Sequence, residues 1–261
     1  MTTYRPPAVA GQFYPGDAEG LREMITGMLT SAGTHPISPK ALIAPHAGYI
    51  YSGPVAASAY ACLIPRRGEI RRVILLGPAH RVYLQGMALS EYDAFTTPLG
   101  AIPIDTGLIA DIAGLPLVGP DEEAHRLEHS LEVQLPFLQS VLDDFTLLPL
   151  VVGDTPPEAV AEVLATVWGD DETLIVVSSD LSHYLDYASA VRTDRQTTAA
   201  IESLRLEDIG PTDACGCMPM RGLLYEARRR GLRAETLDLR NSGDTAGPRD
   251  SVVGYGAYAI H

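Results

Sequence analysis

The chain has 261 residues, 46% of them hydrophobic and 20% charged, with a formal net charge of −14. That length is ample for a buried core, the composition excludes disorder, and the acidic balance excludes a broad nucleic-acid footprint, which needs the opposite sign. No apolar run is long enough to span a bilayer, no charged-then-apolar leader opens the chain, and three cysteines, Cys62, Cys215 and Cys217, do not make a disulfide framework, so a soluble cytoplasmic protein is expected, with no nucleic-acid or membrane partner.

In chain order, a buried strand is predicted at 41–44, running into Pro45-His46-Ala47-Gly48-Tyr49, followed by a helix over 53–64. The next strand, 73–76, runs into Gly77-Pro78-Ala79-His80. The cluster Glu128-His129-Ser130-Leu131-Glu132 opens a predicted helix over 130–142. There Glu128 and Glu132 read as first-turn charges that complement the helix dipole, and His129 faces either a pocket or a neighbouring backbone group. A strand at 146–152 and a helix at 157–168 follow, then a strand at 173–177 that runs into Ser178-Ser179-Asp180-Leu181-Ser182-His183. Helices over 188–204 and 218–230 and strands at 234–239 and 251–260 complete the set, with an irregular loop through 241–250. Neither a dinucleotide fingerprint nor a P-loop is present, and the serines lack the flanking glycines of a nucleophile elbow.

Alternating strands and helices predict an α/β domain with a mostly parallel sheet covered on both faces, whose site lies beyond the strands' carboxyl ends. Three predicted strands each deliver a histidine there: His46, His80 and His183, the last with Asp180. One such histidine reads as a cap or a satisfied core group, but three in one topological position point to a shared site. Asp213-Ala214-Cys215-Gly216-Cys217 precedes the helix at 218–230. A helix N-terminus lowers a thiol's pKa and favours metal-binding thiolate; two small residues filling a tight turn is the other reading of that pair.

The segments Arg5-Pro6-Pro7-Ala8-Val9-Ala10-Gly11-Gln12-Phe13-Tyr14-Pro15, Ala44-Pro45-His46-Ala47-Gly48-Tyr49, Leu76-Gly77-Pro78-Ala79-His80, Glu128-His129-Ser130-Leu131-Glu132, Ser178-Ser179-Asp180-Leu181-Ser182-His183, Cys215-Gly216 and Ser251-Val252-Val253-Gly254-Tyr255 resemble the Memo family in order and spacing. The resemblance implies a single domain over 1–261 with a fold like that of class III extradiol dioxygenases (LigB-like), non-haem iron enzymes that open catechol-like rings. It implies metal ligands at His46, His80 and Cys215, with Asp180 and His183 as the acid–base pair if catalysis occurs. His129 and Cys217 are expected on the pocket wall. Fe(II) is the expected metal, with copper and zinc as the alternatives that a thiolate favours over a carboxylate.

The family's animal members act in motility signalling, and its bacterial and archaeal members are often encoded beside a radical SAM protein. A redox role alongside such a partner, an extradiol-type dioxygenase acting on a small aromatic molecule, and a non-catalytic module for a small-molecule or peptide ligand are the three functions implied. After Cys215 this chain departs from the animal pattern Gly-Arg-His-Pro, reading Gly216-Cys217-Met218-Pro219. That departure weakens any transfer of the peptide-binding role.

Overall fold

The computed structural model describes residues 2–33 and 36–261. Its first half holds β1 (Tyr4–Arg5), α1 (Ala18–Ala32), β2 (Ala41–Ala44), α2 (Tyr49–Tyr60), β3 (Arg72–Pro78), β4 (Met87–Leu89), β5 (Ala94–Thr97), β6 (Gly100–Pro103), α3 (Thr106–Ile112), β7 (Val118–Pro120) and α4 (Glu122–Arg126). The second half adds α5 (Leu135–Val141), β8 (Thr146–Val152), α6 (Pro157–Thr166), β9 (Thr173–Ser178), β10 (His183–Leu185), α7 (Tyr187–Glu202), α8 (Cys217–Arg230), β11 (Ala234–Asn241) and β12 (Val252–Ile260).

β2, β9, β3 and β8 lie side by side, each parallel to the next. Their aliphatic residues are buried on both faces, and successive side chains point opposite ways. Leu42, Leu75, Leu147 and Val176 therefore enter one apolar layer with α1, α2 and α5. Ile43, Ile74, Leu148 and Ile175 enter a second layer with α6, α7 and α8.

The expected α/β sheet has its parallel core, and antiparallel strands are added at its flanks. β4 pairs antiparallel with β8, and β12 pairs antiparallel with β2, β10 and β11, so the central sheet is mixed around a parallel core. β11 and β12 are consecutive, and a loop without a crossover helix can join them only in antiparallel fashion. A separate three-stranded sheet, β1-β5-β6, stands beside the main one. No described helix is long and apolar enough to cross a membrane.

The helix expected over 130–142 is corrected. A 3-10 turn at Glu132–Gln134 precedes the short α5, because Glu132 and Gln134 turn their polar ends into the protein and Pro136 suits the first turn of a new helix. α1 was absent from the expected set. Its Leu21 and Ile25 are buried one turn apart, and Asp17 caps it by accepting the Gly20 N–H at 2.8 Å.

Glu132 is not a dipole-complementing charge; it anchors the N-terminal segment. Its Oε2 accepts from Arg5 Nη1 at 2.8 Å and from the Ala8 N–H at 2.6 Å. Its Oε1 accepts from the Val9 N–H at 2.9 Å and from the Tyr14 hydroxyl at 2.7 Å. Arg5 Nε and Nη2 donate to the carbonyls of His125 and Glu128, and the guanidinium lies over the Phe95 ring. Every polar atom of this buried pair therefore has a partner, the condition under which a buried ion pair is tolerated. Glu132→Ala strands the Arg5 charge and should cost about 3–5 kcal/mol, read as a lower denaturant midpoint; an unchanged midpoint would show that the segment is held elsewhere.

His125 sits beside this network, its Nε2 bonded to the Ala88 carbonyl at 2.9 Å. A carbonyl only accepts, so Nε2 carries the hydrogen. Burial, reinforced by the Arg5 charge, pushes the imidazole down to about 4. The unfolded chain takes up that proton near pH 6.5 and the native state does not, so the stabilisation is complete above pH 6.5 and is lost as pH falls toward 4. Between neutral pH and pH 4, His125→Gln should lose about 3 kcal/mol less stability than the parent chain, measured by urea unfolding at each pH. Parallel losses in the two proteins would refute this.

Candidate metal centre

Three strand ends and one helix start converge. Beyond β2, the His46 N–H donates to Asp180 Oδ1 at 2.7 Å, and its ring Nδ1 meets Ser178 Oγ at 2.8 Å. Beyond β3, His80 is gripped by one carboxylate: Glu128 Oε2 accepts the backbone N–H at 2.6 Å and Oε1 lies 3.0 Å from the ring Nδ1. Beyond β9, the Asp180 N–H points at Cys215 Sγ from 3.3 Å, and the Asp180 carbonyl accepts the Cys215 N–H at 3.2 Å.

Two glycines permit this approach. A Cβ at Gly216 would lie 2.6 Å from the Ser178 carbonyl oxygen, so only glycine lets the turn before α8 press Cys215 against the β9 end. At Gly77 a Cβ would meet Ser130 Oγ at 2.8 Å, so glycine there admits the 128–131 turn that carries Glu128 to His80.

The ligand atoms of His46, His80 and Cys215 all lie within 4.8 Å of one another. Cys215 Sγ is 3.4 Å from His46 Nε2. A second group, His80, Glu128 and His129, meets the same distance criterion, with the His80 and His129 rings stacked at 4.8 Å. The first group forms the floor of a cavity of about 970 Å³, whose walls include Phe13, Tyr51, His129, Asp180, His183 and Tyr255. Tyr184 stands exposed on its rim with a left-handed backbone (φ 59°), a conformation that costs a non-glycine residue about 1 kcal/mol and clusters at functional sites.

Burial holds the His46 imidazole well below its usual range, aided by the neighbouring His80 and His129, so it is neutral and able to donate a lone pair. Burial opposes ionisation of Glu128, but the hydrogen bonds and charge of His80 outweigh it and bring the carboxyl down to about 2. Asp180, buried, rises to about 6. Burial pushes the Cys215 thiol up, and the adjacent Asp180 charge adds to it, so desolvation overrides the helix-start effect expected to lower it.

His46, His80, Cys215, Asp180, His183 and His129 are thus brought to one cavity. Cys217 is not on its wall: it opens α8 and is buried in the second apolar layer, because the helical turn swings it away from Cys215. Asp180 does not hydrogen-bond His183 as its expected partner; its carboxylate accepts the His46 N–H instead. Glu128, Ser178 and Gln134 were not expected at the site. Gln134 is a lone polar residue in the apolar run Val133-Gln134-Leu135, and that is the signal it carried.

The family model described as Memo-like protein matches residues 5–259. The chain belongs to the Memo family. A MEMO1 family protein of Aquifex aeolicus is 38% identical, covering 96% of this chain and 97% of its own. One from Archaeoglobus fulgidus is 36% identical with the same coverage, and one from Methanosarcina barkeri is 36% identical over 98% of this chain and 99% of its own. The crystal structure of an uncharacterized protein from Escherichia coli K12 superposes with a TM-score of 0.51 at 17% identity, covering 83% of this chain and 98% of that one. The Memo match and this neighbour both fit the LigB-like α/β fold.

In the metal-free Memo-family chain, the raised thiol sets a chemical expectation. Cys215 should react with iodoacetamide more than about tenfold slower than a free peptide thiol at neutral pH, with a rate still rising above about pH 9. Mass-spectrometric mapping of alkylated peptides reads this directly. A rate that levels off near neutrality would mean that the helix start, not burial, governs the sulfur.

Proposed function

We propose that this Memo-family chain binds one metal ion through His46, His80 and Cys215 and uses it in redox chemistry on a small molecule held in the cavity above. The observation that carries the proposal is the convergence of two imidazoles and a thiol at the floor of an open cavity. Those donors suit iron, copper or zinc. Three protein ligands leave a coordination position for a substrate, and both imidazoles have their Nδ1 tethered, the usual support for a metal-bound histidine. Fe(II) is the proposed metal, with copper and zinc as the alternatives that a thiolate favours.

When bound, the metal would supply an electron-transfer and Lewis-acid centre. The chain's own residues do the rest. Glu128 and Ser178 hold the two rings, and the Phe13, Tyr51 and Tyr255 walls shed water and suit a flat ligand. His183, half-exposed on the cavity wall, is placed to take or return a proton at a ligand oxygen. Asp180, buried beside the His46 backbone, supplies a second proton-holding group in the same cavity.

Metal content by mass spectrometry after anaerobic purification tests the site. Near-stoichiometric metal in the parent chain should vanish in His46→Ala, His80→Ala and Cys215→Ala. In Glu128→Gln, affinity should fall about 10–100-fold through loss of His80 orientation. Absence of metal together with no uptake on titration with Fe(II), Cu(I) or Zn(II) would overturn the proposal and leave a ligand-binding pocket.

A further inference from the structure

Three partners surround the Ser178 hydroxyl, and only one assignment of hydrogens satisfies them all. Ser178 Oγ lies 2.6 Å from the Ser130 carbonyl, 2.7 Å from Gln134 Nε2 and 2.8 Å from His46 Nδ1. The Ser130 carbonyl can only accept, so the single hydroxyl hydrogen goes there. The Gln134 amide is oriented independently: its nitrogen faces the Pro45 carbonyl at 2.9 Å, another group that can only accept, while its oxygen takes the Tyr60 hydroxyl at 2.7 Å. For the second amide hydrogen of Gln134, Ser178 Oγ at 2.7 Å is a much nearer acceptor than the Ala44 carbonyl at 3.4 Å, so that hydrogen points at Ser178 Oγ. One lone pair of that oxygen remains, and it faces His46 Nδ1. A bare nitrogen there would set lone pair against lone pair in a fully buried setting, where an unmade hydrogen bond costs most.

We infer that Gln134 and Ser178 are positioning residues that lock His46 in the Nδ1–H tautomer, so that the Nε2 lone pair is the one presented toward Cys215 and the cavity floor. The lock is one-sided because both of its outer anchors, the Ser130 and Pro45 carbonyls, lack hydrogens and cannot reverse. Glu128 does the same for His80, since its carboxylate accepts at the ring Nδ1, and it also takes the Ser130 N–H at 2.9 Å. A single turn, residues 128–134, thus orients both rings from opposite ends. The consequence for metal binding rests on the function proposed above; the tautomer itself does not.

Nitrogen-15 NMR of the histidine rings in the metal-free full-length chain, with His46 assigned by its loss in His46→Ala, tests this. The expected result is a protonated Nδ1 and a bare Nε2 at His46. In Ser178→Ala the opposite tautomer should become populated and Co(II) affinity should fall about 10–100-fold, with Ser178→Thr restoring both. Gln134→Leu should shift the tautomer in the same direction. A parent chain with hydrogen on Nε2 of His46 overturns the inference, and it needs no variant to fold. A protonated Nδ1 in a chain that takes up no Co(II), Fe(II), Cu(I) or Zn(II) supports the lock and defeats the metal proposal instead.

Discussion

Parallel pairing of the four central strands is the constraint from which the site follows. Register sets Ala44 opposite Ser178 and Leu76 opposite Val177, so the chain leaves β2, β3 and β9 at one level and in one direction. His46 and Asp180 are each two residues past that paired level, which is why the backbone N–H of one reaches the carboxylate of the other. A slip of one residue in any strand would turn its outgoing side chain away and invert its apolar pattern at the same time. The two apolar layers therefore protect the position of the histidines as well as the fold.

The polar groups at this edge are buried without being stranded. Glu128 and Glu132, four residues apart, divide two tasks that neither could do alone. Glu128 spends its oxygens on His80 and the turn around it. Glu132 spends its own on Arg5, Tyr14 and two backbone N–H groups, and so brings Phe13 onto the cavity wall, 5.0 Å from the His129 ring.

The buried strands and the residues just past them were legible in the sequence because runs of Val, Ile and Leu have one structural use and the carboxyl-end rule then indicates where to look. The short flanking strands β4 and β10 were not, since three residues are too few to declare a partner. Glu132 was misread for a related reason. A glutamate near a helix start has the same appearance whether it faces solvent or a guanidinium 127 residues earlier in the chain. Cys217 was misplaced because spacing of two residues says nothing about direction until the helix start is known. Family resemblance named the proposed ligand positions, but the groups that tether their rings, Ser178 at His46 and Glu128 at His80, take on that role only through three-dimensional contact.

The separations among the cavity-floor groups also decide the order in which the molecule must assemble. His46 and Cys215 are 169 residues apart, and His46 and Asp180 are 134 apart. A metal ion can fold a short finger whose ligands lie close in sequence, but His46 and Cys215 are far apart in this chain, and closing loops of this length falls to the sheet. The proposed ligand set therefore comes together only once the apolar layers have set the sheet, so an ion held by all three residues would be captured by a chain that is already native.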